Sequence, residues 1–383
     1  MVGHSRRIFL YGYYGRKNTG DDAMLYAFLT IATGLRPDLE FEVLRGDDVP
    51  EVPETARAST TFIPSSFTAV VKGLLRADVF AVVGGTHLTS YGLNKRTIAM
   101  VTRIALLIGI SRLLGKQVYL LGAGIGPLRK FVPKAVSRWI CRQASAISVR
   151  DQVSYQAVRE LGVAKDVTLG FDVAAGIDWT RREKSPTEEM HRLTLGVSIT
   201  PVFTLYHADR KSDRKLVEKM GDALNNWMRR HPEWHLNLFV FHGLSKGTQD
   251  DDSGITKQLQ AILSPSERVK TVEYESAPRA MFSSVSRCAA FVGMKYHSCL
   301  FAYLANIPLL VVPYHPKCEA LAKEIGLPRL AVVSLDVVLT GGLDEFLELL
   351  TAPGTALKAS MQVDLSRERA QSSLNALVEA RSR

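Results

Sequence analysis

The feature that most limits the fold of this chain is a repeated unit: a short apolar run, a glycine or polar cluster, and a segment with helical periodicity. Such apolar runs occupy 79–83 and 117–121 in the first half, and 235–241 and 289–292 in the second. Strands that alternate with helices in this way form parallel sheets. The sequence therefore predicts an α/β fold with two Rossmann-like domains whose parallel sheets face each other across a cleft.

A charged segment that contains proline, 178–192, separates the two halves and is the predicted linker. The length of 383 residues fits two domains of about 150 residues and a smaller element. We therefore predict an N-terminal Rossmann-like domain over 1–180, a C-terminal one over 190–345, and a helical segment over 346–383. Ligands of such domains bind beyond the carboxyl ends of the strands, so functional residues are expected in those loops.

The net charge of +10 could attract nucleic acid, an anionic membrane surface or anionic small substrates. The basic residues are spread along the chain, and no helix-turn-helix, zinc-finger or RNP-like pattern accompanies them. The charge therefore favours anionic ligands or lipid headgroups over nucleic acid. The most apolar stretch, 98–114, is interrupted by Arg103 and Arg112, which predicts a core or interfacial helix and not a membrane span.

The cysteines show neither CxxC pairing nor metal-ligand spacing to histidine, so we expect small buried side chains and no metal site. Unpaired cysteines in this number fit a reducing compartment, which favours a cytoplasmic protein. The four are Cys141, Cys288, Cys299 and Cys318.

Three glycine-rich loops, at 12–21, 84–90 and 122–127, each follow a predicted strand of the first half. Their glycines would let the backbone approach a ligand closely, but the spacing matches neither a Walker loop nor the dinucleotide fingerprint. In the first loop, Asp21 and Asp22 disfavour a phosphate and could accept sugar hydroxyls, or they could simply cap the helix that follows. Three such loops in one domain exceed what turn formation alone requires.

Cationic side chains follow other predicted strands. Arg150 comes after the run 146–149, where it could bind a carboxylate or phosphate, or form a salt bridge with Asp151. His242 ends another strand, and the acidic cluster 250–252 beyond it is interpreted as a solvated loop. Lys295 and His297 stand together between a strand and a helix, where a proton donor would face developing negative charge.

Taken in order, these motifs resemble the polysaccharide pyruvyltransferase family. The family's Met-Arg-x-His strand end stands here as Met294 to His297, with Lys295 in place of arginine, which keeps the charge but loses the bidentate fork. The matching segments are Gly-Tyr-Tyr-Gly-x-x-Asn-x-Gly-Asp at 12–21, the Gly-Gly loop at 84–90, Gly-Ile-Gly-Pro at 124–127, Ser-Val-Arg-Asp at 148–151, and Pro-Tyr-His-Pro-Lys at 313–317.

The resemblance implies a GT-B-like fold and transfer of a pyruvyl group from phosphoenolpyruvate, as co-substrate, to a sugar of a polysaccharide or glycolipid precursor. The product would be a pyruvate ketal, phosphate would be released, and no other cofactor or metal is implied. His297, Arg150 and Lys295 are the implied catalytic residues, with the donor on the C-terminal domain and the acceptor on the N-terminal one. His242 is expected to bind substrate because of its position at a strand end. The full set of expected substrate-binding residues is Gly15, Asn18, Gly20, Asp21, Gly84, Gly85, Thr89, Ser90, Gly124 and His242.

The expected partners are phosphoenolpyruvate and a sugar acceptor, which lipid diphosphate could carry, and not nucleic acid. A lipid-linked acceptor would bring this cytoplasmic enzyme into peripheral contact with an anionic membrane at the inner face of the cell membrane. Two other functions stay open from the residues alone. One is a GT-B glycosyltransferase that uses a nucleotide sugar, and the other is a non-enzymatic, membrane-peripheral protein of polysaccharide assembly.

Overall fold

The computed structural model describes residues 6–85, 88–89, 95–180, 193–243 and 251–379. The chain forms two compact units. Unit 1 comprises residues 1–16, 21–177 and 364–383, and unit 2 comprises 17–20 and 178–363.

This division differs from the predicted one in the first glycine-rich loop and in the predicted helical segment 346–383, whose residues 346–363 belong to unit 2. The C-terminal residues 364–383 belong to unit 1, where Ser148 Oγ donates a hydrogen bond to the Ser373 carbonyl. Lys17–Gly20, in the middle of the first glycine-rich loop, belongs to unit 2. Both differences arise from contacts between residues far apart in the chain, which no local pattern reveals.

The strands of unit 1 are short apolar runs, and β4 is buried along its whole length. Continuous apolar strands are typical of parallel sheets, because helices cover both faces. The elements are β1 (Arg6–Tyr11), α1 (Thr19–Leu35), β2 (Leu39–Arg45), α2 (Glu54–Arg57), β3 (Thr60–Pro64), α3 (Phe67–Arg76), β4 (Val79–Val83), α4 (Lys95–Leu113), β5 (Gln117–Ala123), α5 (Phe131–Gln143), β6 (Ala146–Val149), α6 (Gln152–Glu160) and β7 (Val167–Leu169).

The strands of unit 1 pair in parallel in the order β3-β2-β1-β4-β5-β6-β7. The register sets Phe9 beside Phe80, whose rings stack with centroids 5.9 Å apart in the core. The chain runs outward from β1 to β3 and returns to β4, so the strand order reverses between β1 and β4. Loops beyond the carboxyl ends of two such strands flank a crevice that commonly binds ligands. In unit 1 the first two glycine-rich loops occupy these positions.

Unit 2 repeats this topology on a smaller scale, with parallel strands in the order β10-β9-β8-β11-β12 and a reversal between β8 and β11. The residues after β8 and β11 therefore flank its crevice, and Lys295 and His297 are among them. The elements are β8 (Thr194–Ser198), α7 (Val202–His207), α8 (Arg210–Arg230), β9 (His235–Phe239), α9 (Ser253–Ile262), β10 (Val269–Val272), α10 (Pro278–Ser286), β11 (Ala290–Gly293), α11 (Tyr296–Leu304), β12 (Leu309–Val311), α12 (Pro316–Glu324), α13 (Leu335–Leu339) and α14 (Leu343–Thr351). Two helices end the described chain, α15 (Val363–Ser372) and α16 (Ala376–Glu379).

The apolar run 331–333 has the length of a short strand but does not form one. The chain there forms a 3-10 turn, Arg329–Ala331, followed by a single parallel bridge between Val332 and Val311. The apolar side chains at Ala331 and Val333 are buried against the sheet edge, which gives the alternation of a strand without its ladder.

Candidate functional site

Lys295 and His297 lie where β11 passes into α11, at the strand reversal of unit 2. Lys295 is the N-cap residue of α11, and its backbone is extended. Its carbonyl accepts a hydrogen bond of 2.8 Å from Ser298 Oγ, which also lies 2.6 Å from Ser198 Oγ at the end of β8. The two strands that flank the crevice are therefore tied together directly beneath the first turn of α11. This turn carries backbone N–H groups that favour an anion.

Asp252 is fully buried beside Lys295 and connects three parts of unit 2. Its carboxylate lies 3.1 Å from Lys295 Nζ and accepts hydrogen bonds from Thr200 Oγ1 at 2.6 Å and from the His242 backbone N–H at 2.9 Å. Thr200 follows β8, and His242 follows β9. A single carboxylate thus holds the loops after β8 and β9 to the cation that follows β11.

The environment of Asp252 opposes its negative charge. Burial raises the pKa of the Asp252 carboxyl, and the Lys295 ammonium and the Thr200 hydrogen bond only partly offset that rise. Breaking a buried ion pair by removing one partner typically costs about 3–5 kcal/mol, because the other charge is left uncompensated. The position of Lys295 therefore depends on Asp252, and the protonation of Asp252 depends on Lys295.

The segment Lys17–Gly20 pairs with the residues that follow β9. Asn18 and His242 form an antiparallel bridge, and the Thr19 backbone N–H donates to the Phe241 carbonyl at 3.0 Å. The Gly20 N–H donates to Asn18 Oδ1 at 3.1 Å, so Asn18 caps the start of α1. Three predicted site residues, Asn18, Gly20 and His242, are thus brought together within unit 2.

Gly20 also lies directly against the ring of His297. A Cβ at position 20 would overlap the imidazole, with Nδ1 as the nearest atom. The absence of a side chain here therefore lets the ring occupy its position, and His297 remains half-buried. The glycine of the Asn-x-Gly-Asp motif is therefore needed to make room for the His297 ring, and not to form a turn.

Aromatic side chains follow β12, the strand next to β11. Tyr314 and Tyr206 stack with centroids 6.5 Å apart, and Lys317 Nζ lies 5.1 Å from the centre of the Tyr314 ring. His315 is buried and caps α12, because its Nδ1 accepts a hydrogen bond of 3.1 Å from the Lys317 backbone N–H. Carboxyl ends of neighbouring parallel strands share one edge of the sheet, so these rings lie at the same edge as Lys295.

In unit 1 the first glycine-rich loop is held in place by contacts of its backbone. Gly15 has a φ of +64°, and a Cβ there would overlap the Asp48 carbonyl oxygen. The Gly15 N–H donates to Asp22 Oδ1 at 2.9 Å, and the Asp22 side chain is buried. Asp21 is half-buried in the first turn of α1. Asp22 therefore ties the first loop to the start of α1, and the substrate contact of Asp21 stays a prediction.

The loops after β4 and β5 are joined to each other. The Gly124 N–H donates to the Gly85 carbonyl at 2.8 Å, the Gly126 N–H donates to the Leu88 carbonyl at 2.6 Å, and Leu88 and Ile125 form a bridge. Gly84 has a φ of +64° and packs against Met24. The glycines therefore have structural reasons to be there. Thr89 is buried, Ser90 lies outside the described residues, and binding by either stays a prediction.

Arg150 is buried between two carboxylates of unit 1. Its Nε lies 3.3 Å from the Asp151 carboxylate and its Nη1 lies 3.6 Å from the Asp172 carboxylate, and both acids are also buried. Asp151 caps α6 through the Ser154 N–H, and Asp172 accepts from the Ala174 N–H. Of the two roles predicted for Arg150, the salt bridge with Asp151 is therefore present. A role for Arg150 in donor binding stays a prediction.

The sequence pattern did not reveal Asp252 as a site residue, and it gave no role to Tyr314 or His315. The acidic cluster was interpreted as solvated, yet its last residue, Asp252, is fully buried. The signal available was its position directly before the helical period of α9, where an acid is expected to cap or to turn inward.

In the part of the chain that the structure describes, no group of three or more His, Cys, Asp or Glu could hold a metal ion. Among the described helices, none has the length and apolarity that crossing a bilayer demands.

A family model described as polysaccharide pyruvyl transferase matches residues 18–316 of the chain. The matched span begins at Asn18 and ends at Pro316, so it includes Asp252, Lys295 and His297.

Solved structures of sugar-nucleotide enzymes share the architecture. UDP-GlcNAc 2-epimerase from Methanocaldococcus jannaschii superposes with a TM-score of 0.62 at 10% identity, covering 98% of this chain and 99% of that one. The Neisseria meningitidis enzyme of the same description, bound to UDP-GlcNAc, gives 0.58 at 12% identity, with coverages of 98% and 99%. UDP-glucose:anthocyanidin 3-O-glucosyltransferase in complex with UDP gives 0.52 at 9% identity, with coverages of 99% and 95%. At these identities the likeness concerns the fold, and the predicted GT-B-like class with two Rossmann-like units is confirmed.

Proposed function

The chain belongs to the polysaccharide pyruvyl transferase family and is therefore a transferase, and we propose that it takes the pyruvyl group from phosphoenolpyruvate and forms a pyruvate ketal on a sugar of a polysaccharide or glycolipid precursor. In this reaction the donor's phosphate is released. The observation that carries the proposal is the arrangement of Lys295, His297 and buried Asp252 at the strand reversal of unit 2. We assign the donor chemistry to this arrangement.

The donor requires positive charge and partial desolvation, because it carries both a carboxylate and a phosphate. Lys295 supplies a cation at the first turn of α11, and the turn's backbone N–H groups add a partial positive charge. Asp252 fixes the Lys295 ammonium from one side at 3.1 Å. A lysine held as a point charge attracts either anionic group of the donor, without the bidentate geometry of the arginine that it replaces in the family motif.

His297 is assigned as the acid and base. In the first step, its imidazolium gives a proton to the methylene carbon of phosphoenolpyruvate, and the adjacent carbon becomes electron-deficient. One sugar hydroxyl then forms a bond to that carbon and returns its proton to His297. Cleavage of the carbon–oxygen bond to phosphate follows, and a second hydroxyl closes the ketal while its proton leaves with the phosphate. General acid–base catalysis of this kind typically contributes a factor of about 10²–10⁴ in rate.

Gly20 and Asn18 support this assignment by position. The bridge from Asn18 to His242 fixes the segment that carries Gly20, and Gly20 then lies against the His297 ring. The ring orientation therefore depends on a residue from the far end of the sequence. Binding of the acceptor sugar by Asp21, Thr89 and the glycine-rich loops of unit 1 stays a prediction.

The test is phosphate release from phosphoenolpyruvate with a panel of aryl and lipid-linked glycosides, with mass detection of the ketal product. We expect release that depends on the acceptor, and we expect His297→Asn to lower kcat by about 10²–10⁴-fold. His207→Asn is the matched control, because His207 is an exposed histidine of the same unit at the end of α7. It should retain wild-type turnover.

Three results would oppose the proposal. Near-native turnover of His297→Asn would remove the assigned acid and base. Turnover of a nucleotide sugar, with stabilisation by UDP or GDP and none by phosphoenolpyruvate, would instead indicate the glycosyltransferase alternative. An absence of turnover with every acceptor, together with vesicle binding, would indicate the non-enzymatic one.

A further inference from the structure

The positive charge of the chain comes from one segment. Residues 79–150 contain eleven Lys and Arg and no Asp or Glu, whereas the rest of the chain contains 37 basic and 38 acidic residues. Basic residues are spread along the whole sequence, but this segment is its longest stretch without an acidic residue. The segment lies in unit 1 and includes α4 and α5. A region of one charge sign attracts partners of the opposite sign.

Over residues 98–113, the solvent face of α4 is largely apolar. Ile98, Leu106 and Leu113 project from this face at helical spacing and are 56%, 59% and 89% exposed. The opposite face, with Ile104 and Ile108, is buried in the core of unit 1. A helix in a water-soluble fold normally turns charged or polar residues outward, so an apolar outer face indicates a surface that meets something apolar.

The neighbouring helix α5 adds aromatic and basic groups. Phe131 and Val132 are 86% and 67% exposed, and Trp139 is 42% exposed. Trp139 packs over Gly109 of α4, so the two outer faces adjoin. The exposed basic side chains around them are Arg112, Arg129, Lys130, Lys134, Arg138 and Arg142. We call the outer faces of α4 and α5 the α4–α5 surface.

We propose that the α4–α5 surface binds an anionic lipid bilayer, with Phe131, Trp139 and Leu113 entering the headgroup layer and the Lys and Arg side chains contacting lipid phosphates. Interfacial helices combine an apolar face with Lys and Arg, and tryptophan prefers the membrane–water boundary. The segment complements an anionic surface in charge, because it contains no acidic residue of its own. This contact would place unit 1 at the membrane surface.

A second copy of the chain fits the same surface less well. A symmetric dimer would bring the α4–α5 surface against itself and oppose like charges across the interface. An acidic protein would satisfy the charge but would have to cover apolar groups along two helices. The bilayer satisfies both requirements at once, because headgroup phosphates and acyl chains lie within one layer.

The experiment is flotation of the full chain with vesicles of phosphatidylcholine alone or of phosphatidylcholine mixed with phosphatidylglycerol. We expect binding to the mixed vesicles that weakens with salt, and little binding to the neutral ones. Leu113→Ser with Phe131→Ser should lower the partition coefficient by about tenfold or more, because the exposed apolar area is lost. Lys134→Gln with Arg142→Gln should lower it by about fivefold for each charge removed. All substituted side chains are exposed, so the thermal unfolding of each variant should match that of the wild type.

A matched pair of variants tests the location. Arg112→Gln with Leu113→Ser changes an exposed Arg-Leu pair on α4, and Arg329→Gln with Leu330→Ser changes an exposed Arg-Leu pair of unit 2. Only the first pair should reduce flotation. Equal loss from both, or no wild-type binding to mixed vesicles at low salt, would overturn the proposal. Wild-type self-association that the Leu113 and Phe131 changes abolish, without any vesicle binding, would overturn it in favour of an interface between copies. Vesicle binding is measured without substrate, so either result leaves the proposed transfer reaction untouched.

Discussion

Unit 1 and unit 2 share a topology, and each has a buried cation directly after a strand, but the two cations have different surroundings. In unit 1, Arg150 faces two buried carboxylates, Asp151 and Asp172. In unit 2, Lys295 faces one buried carboxylate, Asp252, whose pKa is raised by burial. The loops around Arg150 are also joined by their own backbone hydrogen bonds, whereas the ring of His297 rests on a glycine from a separate segment.

The difference indicates a division of tasks. A guanidinium between two carboxylates has its charge more than neutralised, which suits an arginine that holds loops together. A lysine beside one carboxylate forms an ion pair without net charge, and an anionic substrate can polarise this pair. A nearby histidine can then exchange protons with the bound substrate. We infer that the chemistry belongs to unit 2 and that Arg150 serves mainly to hold the fold of unit 1.

The largest effect should come from Arg150→Gln. Without the guanidinium, Asp151 and Asp172 stay buried without this counter-charge, and we expect a loss of about 3–5 kcal/mol in the free energy of unfolding. Arg57→Gln removes an exposed pair with Glu54 and should cost at most about 1 kcal/mol. Urea denaturation measures both. The Arg150→Lys variant tests whether the guanidinium fork of Arg150 binds the donor. A raised KM for phosphoenolpyruvate at unchanged stability would contradict a structural role.

Lys295→Gln should destabilise less, by about 3 kcal/mol at neutral pH, and in a pH-dependent way. Lys295 lowers the pKa of Asp252, so its removal raises that pKa further. A carboxyl with a raised folded-state pKa opposes folding above its unfolded value of about 3.9, and the penalty grows as pH rises through the folded-state pKa. The stability difference from wild type should therefore shrink as pH falls.

Urea denaturation over a series from mildly acid to neutral pH measures this difference. Lys323→Gln, an exposed lysine on α12, is the control and should show no such trend. A difference that stays constant with pH would mean that Asp252 does not take up a proton when Lys295 is absent, and the contrast between the two buried cations would then disappear.

The smallest of these effects concerns Gly20. Gly20→Ala places a methyl group where the His297 ring lies, and we expect kcat to fall by about 10–10²-fold as the ring is displaced. Gly34→Ala, in the same helix with open space around it, should leave kcat unchanged and add up to about 1 kcal/mol of stability. Steady-state kinetics over a pH range tests the pair. If the two variants share one kcat and one pH profile, His297 is not held by Gly20.

Some of this site could be predicted from the sequence, and some could not. Lys295 and His297 were identifiable, because a strand, a short cationic run and a helix follow one another within a few residues. Asp252 was not, because an acid in a polar cluster looks solvated until its partners are known. The structure brings Thr200, His242 and Lys295 to it from three different strands.

The sequence by itself determined the repeated strand–helix order, the parallel sheets and the strand ends at which polar residues gather, because the periodicity of side chains reflects local geometry. Only the tertiary structure decided that residues 17–20 join unit 2, that residues 364–383 join unit 1, and which buried charge meets which. The physical reason is that burial and charge pairing are set by contacts between distant segments. The sequence shows the same Arg, Asp or Lys whether its side chain is solvated, neutralised by a buried partner or positioned to bind a substrate.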